Sequence, residues 1–119
     1  MAVVKVREVR VEKKIEDVFK RIEEFFRKAQ EVIITSSTLE EETGNIIITF
    51  NKSIVSMGEV MTVNLTKVEE NITEIYVEST STGEKTVYDW GKNEKNIRLV
   101  LELFGLEEKN EKKRLPYTR

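Results

Sequence analysis

The chain has 119 residues, the usual size of one domain and too few for two separate hydrophobic cores. Lysine and arginine number 20 and aspartate and glutamate 22, so the formal charge of −2 does not favour nucleic acid as a partner. There is no cysteine, and Lys5 interrupts the N-terminus before a signal peptide could form, so a cytoplasmic protein is expected. No apolar run approaches the roughly 18–20 residues that cross a bilayer, so no membrane span is expected.

The first segment, residues 3–11, alternates valine with charged residues, which is typical of a half-buried strand. Val4 and Val6 occupy one parity of this segment, whereas Val9 and Val11 occupy the other. Since successive side chains of a strand point to opposite faces, the apolar side would change between the two pairs. We expect either a bulge between the pairs or burial of the strand on both faces.

A helical pattern replaces the strand pattern from Lys14 to about Gln30. The apolar residues recur at helical spacing and form one stripe, made of Ile15, Val18, Phe19, Ile22, Phe25, Phe26 and Ala29. Acidic residues lie in the first turn and basic residues in the last, which matches the helix dipole at both ends. The pattern predicts a long amphipathic helix.

Four strand-like segments follow this helix, at residues 32–39, 46–53, 59–68 and 72–79. Turn-forming residues at 42–45 separate the first two segments and predict a hairpin. Because the connections between all four segments are short, an antiparallel meander is the expected pairing.

A second helix is predicted near the end of the chain, where Asp89 can cap its start and Gly105 is placed to end it. Its apolar face consists of Ile97, Val100, Leu101 and Phe104. Residues 107–119 are mostly charged or polar, and we expect a mobile tail there and a single domain at residues 1–106. The order predicts an α+β fold: a strand, a long helix, a four-stranded antiparallel meander and a C-terminal helix, with the sheet packed on the helices.

The residue types limit the chemistry that the chain can perform. Without histidine and cysteine, serine–histidine and cysteine–histidine mechanisms are excluded, and metal sites lose their imidazole and thiolate ligands. The densest acidic run, residues 40–42, directly precedes a predicted turn and lacks the spacing of a calcium loop, so it predicts a solvated hairpin end. The glycines form no phosphate-binding motif. We predict no catalytic residue, no metal site and no cofactor.

One part of the chain resembles a small bacterial domain family of unknown function. The similar residues are Ser79-Thr80-Ser81 and Asp89-Trp90-Gly91-Lys92-Asn93-Glu94-Lys95-Asn96-Ile97. That family has Ser-x-Ser followed by Asp-x-Gly-x-Asn-x-x-Arg-Ile, and Asn96 stands where it has arginine. The element order also resembles the helix-grip class, which includes START-like lipid carriers, and the smaller TATA-binding-protein-like fold. The resemblance implies a curved sheet that wraps a long helix, and it implies no particular function.

These observations favour a non-enzymatic binding or interaction module. In one form of this hypothesis, a small apolar ligand lies between the sheet and the long helix, in a pocket formed by Phe50, Met57, Met61 and Trp90. In the other form, a protein partner or a second copy in a homo-oligomer binds a sheet edge or face. The alternative is a small helix-grip enzyme without histidine or cysteine, which would need two titratable groups, such as Tyr76 and a glutamate, in one apolar cleft.

Overall fold

The chain folds in the predicted order of strand, helix, four strands and helix. The structure is a computed structural model, and it describes residues 4–50, 58–81 and 92–106. The strands are β1 (Val4–Val11), β2 (Val32–Leu39), β3 (Thr43–Phe50), β4 (Glu59–Glu69) and β5 (Ile72–Ser81), and the helices are α1 (Ile15–Lys28) and α2 (Lys92–Glu102). The predicted tail at residues 107–119 lies outside the described residues.

The five strands form one antiparallel sheet in the order β1-β5-β4-β3-β2. The predicted meander of β2 to β5 is confirmed, and β1 joins it beside β5. Both helices pack on one side of the sheet, called here the inner face, where α1 covers mainly β2 and β3 and α2 covers mainly β5 and β1. The opposite side is called here the outer face.

The hydrophobic core lies between the inner face and the two helices. Every second residue of the central strands is buried there, as the strand period requires, together with one stripe of each helix. The core includes Ile46, Ile48, Met61, Val63, Leu65, Ile75 and Val77 from the sheet, Val18, Ile22 and Phe26 from α1, and Ile97, Val100 and Leu101 from α2.

Helix α1 confirms the predicted amphipathic stripe. It begins at Ile15, one residue after Lys14, whose carbonyl accepts the first helical hydrogen bond from the Val18 N–H at 3.0 Å. Among the described residues, Phe26 is the largest fully buried side chain, and it meets Phe25 and Phe50 edge-on, with ring centroids 4.9 and 6.1 Å apart. Such edge-to-face contacts orient the rings at the end of the helix and tie α1 to β3.

Strand β1 differs from both alternatives predicted for it. Its pairing with β5 is regular from Val4 to Val11, without a bulge, and only one side of the strand is covered. Val9 and Val11 point to the inner face, whereas Val4 and Val6 lie on the outer face and are 48% and 40% exposed. The prediction was wrong because it assumed that each apolar pair must be buried within the same chain.

Several element boundaries are also corrected. Strand β3 begins at Thr43 rather than at residue 46, because Glu40 N–H donates to the Thr43 carbonyl and closes the connection earlier. Helix α2 ends at Glu102, and Gly105 closes the turn after it, as predicted, with a φ of 74° in the left-handed region that favours glycine. The predicted cap, Asp89, lies outside the described residues. Within the described ranges, neither helix has the length and apolar composition needed to cross a membrane.

Candidate functional site

One end of the inner face is polar although it is buried. Five side chains form this polar cluster, and none is more than 3% exposed: Glu59, Ser79, Ser81, Asn93 and Asn96. Buried polar groups cost free energy unless they are hydrogen-bonded, so a cluster of this size within a small core requires a specific explanation.

Three elements bring the polar cluster together. Glu59 is the first residue of β4, and the chain enters that strand through Gly58 at a φ of 108°. Ser81 is the residue directly opposite Glu59 in the antiparallel pairing of β4 with β5. Asn93 and Asn96 are three residues apart in the first turns of α2, so they project from the same side of the helix toward the sheet.

The hydrogen bonds within the cluster connect α2 to β4 and β5. Ser79 Oγ donates to Asn93 Oδ1 at 2.6 Å, and Asn93 Nδ2 donates to Ser81 Oγ at 2.9 Å. Asn96 Nδ2 donates to Glu59 Oε1 at 3.1 Å. On β1, Arg7 forms an ion pair with Glu94, which adds a partly exposed contact to the same end of α2.

The cluster keeps unused hydrogen-bonding capacity at two buried atoms. Among the described residues, no donor reaches Asn96 Oδ1, and Ser81 Oγ accepts one bond but donates none. Buried amide oxygens and hydroxyl hydrogens that have no protein partner are normally hydrogen-bonded to an ordered water or a ligand group. A water molecule or a polar group that both donates and accepts a hydrogen bond would satisfy these two atoms.

The predicted pocket residues are only partly described. Phe50 lies opposite Glu59 at the end of β3, half-buried against Phe26, and Met61 lies opposite Ser79 with no exposed surface. Both therefore border the polar cluster on the inner face. Met57 and Trp90 lie outside the described residues, and the four-residue pocket stays a prediction.

Tyr76 lies on the outer face and not in an apolar cleft. Its hydroxyl donates to Glu78 Oε1 at 3.3 Å, so the structure does pair this tyrosine with a glutamate. Partial burial raises the pKa of Tyr76, and the carboxylates of Glu78 and Glu8 raise it further by disfavouring a phenolate. A tyrosine with a raised pKa stays neutral and is a poor general base near pH 7.

Two of the open depressions on the described surface lie away from the polar cluster. One has a volume of about 370 Å³ and opens beside Gly44 and Leu65, at the end of the sheet where β2 joins β3. The other, of about 280 Å³, lies along α1 beside Phe25 and Lys28. No group of three or more acidic side chains within the described ranges is placed to hold a metal ion.

Comparison with known proteins supports the fold class. The structure is similar to the crystal structure of Ara h 8.0201, with a TM-score of 0.55, 11% identity, and coverage of 87% of this chain and 95% of that one. The fold is therefore of the helix-grip class. A weaker similarity, with a TM-score of 0.34 and 8% identity over 86% of each chain, is to the Zhui aromatase/cyclase of Streptomyces sp. R1128. No family model matches the chain, and no curated protein matches it.

The sequence contained a signal for most of the polar cluster. Ser79, Ser81, Asn93 and Asn96 are positions of the two motifs that carry the family resemblance, and the structure brings these motifs into contact. Glu59 had no such signal, because a glutamate at the start of a strand is usually exposed. Only the pairing of β4 with β5 shows that it is buried beside Ser81.

Proposed function

We propose that the chain is a binding module that holds a small amphipathic ligand between the inner face and the helices, at the polar cluster. Phe50 and Met61 would contact the apolar part of the ligand, since both border the cluster on the same face. The observation that supports this proposal most directly is the unused hydrogen-bonding capacity of Ser81 and Asn96. Most small-molecule sites combine an apolar wall with a few convergent polar groups in this way.

The polar cluster favours a neutral hydroxyl as the head group of the ligand. In this proposal the ligand hydroxyl donates to Asn96 Oδ1 and accepts from Ser81 Oγ. An anionic head group would be placed near the buried carboxyl group of Glu59, which accepts a hydrogen bond from Asn96. We expect alcohols and phenols to bind better than carboxylates of the same size.

The enzyme alternative has less support in the described residues. Its suggested tyrosine–glutamate pair is Tyr76 with Glu78, and this pair lies on the outer face, away from the polar cluster. The binding module therefore remains the proposed function.

A series of ligands with one chain and different head groups tests the proposal. Decanol, decylamine and decanoic acid would each be added to the purified protein, followed by thermal unfolding and native mass spectrometry. Decanol is expected to raise the unfolding midpoint and to appear as a one-to-one complex, and decanoic acid is not.

Two variants test whether decanol binds at the polar cluster. Asn96→Leu removes the amide oxygen and should abolish the stabilisation by decanol, whereas Asn64→Ala, on the outer face, should preserve it. The proposal fails if decanol does not stabilise the protein, if decanoic acid stabilises it as much as decanol does, or if Asn96→Leu binds decanol as well as the unchanged chain does.

A further inference from the structure

The outer face of the sheet is left uncovered by both described helices. Along each strand, side chains on this face alternate with those of the core, and all five strands contribute to the face. A sheet with one covered face normally presents charged and polar side chains to water on the other. The composition of the outer face therefore indicates whether this face is adapted to contact with water.

Three of the five strands present no charged residue on the outer face over most of their length. Charged residues make up 35% of the chain, so a solvated face would be expected to contain several. The outward residues are Ile33, Ser36 and Thr38 on β2, Thr43, Asn45, Ile47 and Thr49 on β3, and Val60, Thr62, Asn64 and Thr66 on β4. Charge returns only at Glu69, beyond the register shift near the end of β4.

Aliphatic side chains are concentrated at one end of this face. One row of residues across the five strands contains Val4, Val60 and Ile33. The next row contains Val6 and Ile47. Ile33 is 56% exposed, the highest value among the large apolar residues of the described chain. Threonine is expected on any exposed strand, but five aliphatic residues on one open face indicate a contact surface.

The charges of the outer face lie on one half of the sheet. Glu8 and Arg10 on β1 and Glu74 and Glu78 on β5 are outward, on one side of the central strand β4, and the uncharged β3 and β2 lie on the other side. A two-fold axis parallel to β4 would place β5 of one copy over β3 of its partner and β1 over β2. No carboxylate would then oppose a carboxylate, Glu78 of one copy would lie over Ile47 of the other, and the aliphatic ends of the two faces would meet.

We propose that two copies of the chain pair through their outer faces, about a two-fold axis parallel to β4. The area is sufficient for this contact. Five strands spaced by about 4.8 Å, each extending about 30 Å, give a face of roughly 700 Å² per copy. Stable dimers of standard size bury about 800 Å² per partner, and sheets stacked face to face in this way are common.

The oligomeric state of charge variants tests this pairing. The unchanged chain is expected to have the mass of a dimer by light scattering after size-exclusion chromatography at about 100 µM, a concentration above the Kd of most stable dimers. Ile33→Lys and Thr62→Lys should each be monomers with an unchanged far-ultraviolet spectrum, because both residues lie on the outer face. Gln30→Lys adds the same charge at an exposed position after α1 and should remain dimeric.

A charge exchange at Thr62 locates the symmetry axis. Because Thr62 lies on the central strand, the two copies of this residue are close together in the proposed dimer, and either Lys or Glu there repels its own copy. Thr62→Lys and Thr62→Glu should each be monomeric alone and should form a mixed dimer when combined. A monomeric unchanged chain, a dimer that survives Thr62→Lys, or loss of the dimer in Gln30→Lys would each overturn the proposal.

Discussion

Asn93 is the central residue of the polar cluster because it bridges two strand hydroxyls. Its Oδ1 accepts from Ser79 and its Nδ2 donates to Ser81, in a site with no exposed surface. Asn93→Ala would leave both serines without this partner in the core. Each unsatisfied buried group costs about 1–3 kcal/mol, so the free energy of unfolding should fall by about 2–4 kcal/mol in urea denaturation.

A matched change on the outer face controls for the loss of an amide. Asn64 Oδ1 accepts from Asn45 Nδ2 at 2.7 Å, but this pair is exposed and water can replace the bond. In the monomeric Ile33→Lys background, where the outer face stays open to water, Asn64→Ala should therefore change the free energy of unfolding by less than about 0.5 kcal/mol. Equal losses for Asn93→Ala and Asn64→Ala would show that the polar cluster is not energetically distinct.

At the residue level, the sequence predicted apolar burial better than polar burial. The stripe from Ile15 to Phe26 follows from periodicity, since a helix places every third or fourth residue on one side. The period of β4 places Glu59 on the same face as Met61 and Val63, but a carboxylate is expected in water, so the full burial of Glu59 was not predicted. The burial of Ser79 and Asn93 depends on α2 crossing the end of β5, a contact between elements that neither segment specifies alone.

Helix α1 provides a prediction at the level of elements, because its buried stripe ends in an aromatic contact with the sheet. Phe26 is 1% exposed and meets Phe50 of β3 edge-on, whereas the neighbouring Phe25 is only partly buried. Phe26→Ala leaves a large cavity and should lower the free energy of unfolding by about 3–5 kcal/mol. Urea denaturation of Phe25→Ala should show a clearly smaller loss.

Because a loss of this size can unfold a small domain, a milder substitution keeps the comparison measurable. Phe26→Leu retains most of the buried volume and should lower the stability by about 1–2 kcal/mol with an unchanged denaturant slope. If Phe25→Ala destabilised the protein more than Phe26→Ala, the packing of α1 on β3 would not be as described.

The elements themselves were largely predictable, and their boundaries and faces were less so. Local periodicity was enough for α1, β4 and β5, because each buries one continuous side. In β1, the change of parity between Val6 and Val9 could not be interpreted from one sequence, since a strand can place apolar residues on a face that only another molecule covers. The start of β3 at Thr43 follows from the hydrogen bond of Glu40 N–H to the Thr43 carbonyl, whereas the sequence placed the turn at residues 42–45.

At the scale of the whole molecule, the two faces of the sheet differ in composition. The inner face joins both helices through an apolar core that ends in the polar cluster, and the outer face combines exposed aliphatic residues with uncharged strands. Ligand binding and pairing of copies would therefore use opposite sides of one sheet. Substitutions on the outer face should alter oligomeric state without altering decanol binding, and Asn96→Leu should do the reverse.

Pairing of two copies should also make the unfolding temperature depend on protein concentration. Only the folded chains associate, so a tenfold dilution lowers the free energy of unfolding of the dimer by about 1.4 kcal/mol. For two chains of 119 residues, an unfolding entropy of about 2.1 cal/mol/K per residue converts this to a midpoint lower by about 3 °C. Calorimetry of Ile33→Lys over the same dilution should show no shift, because its monomer unfolds without dissociating, whereas a constant midpoint for the unchanged chain would contradict the dimer.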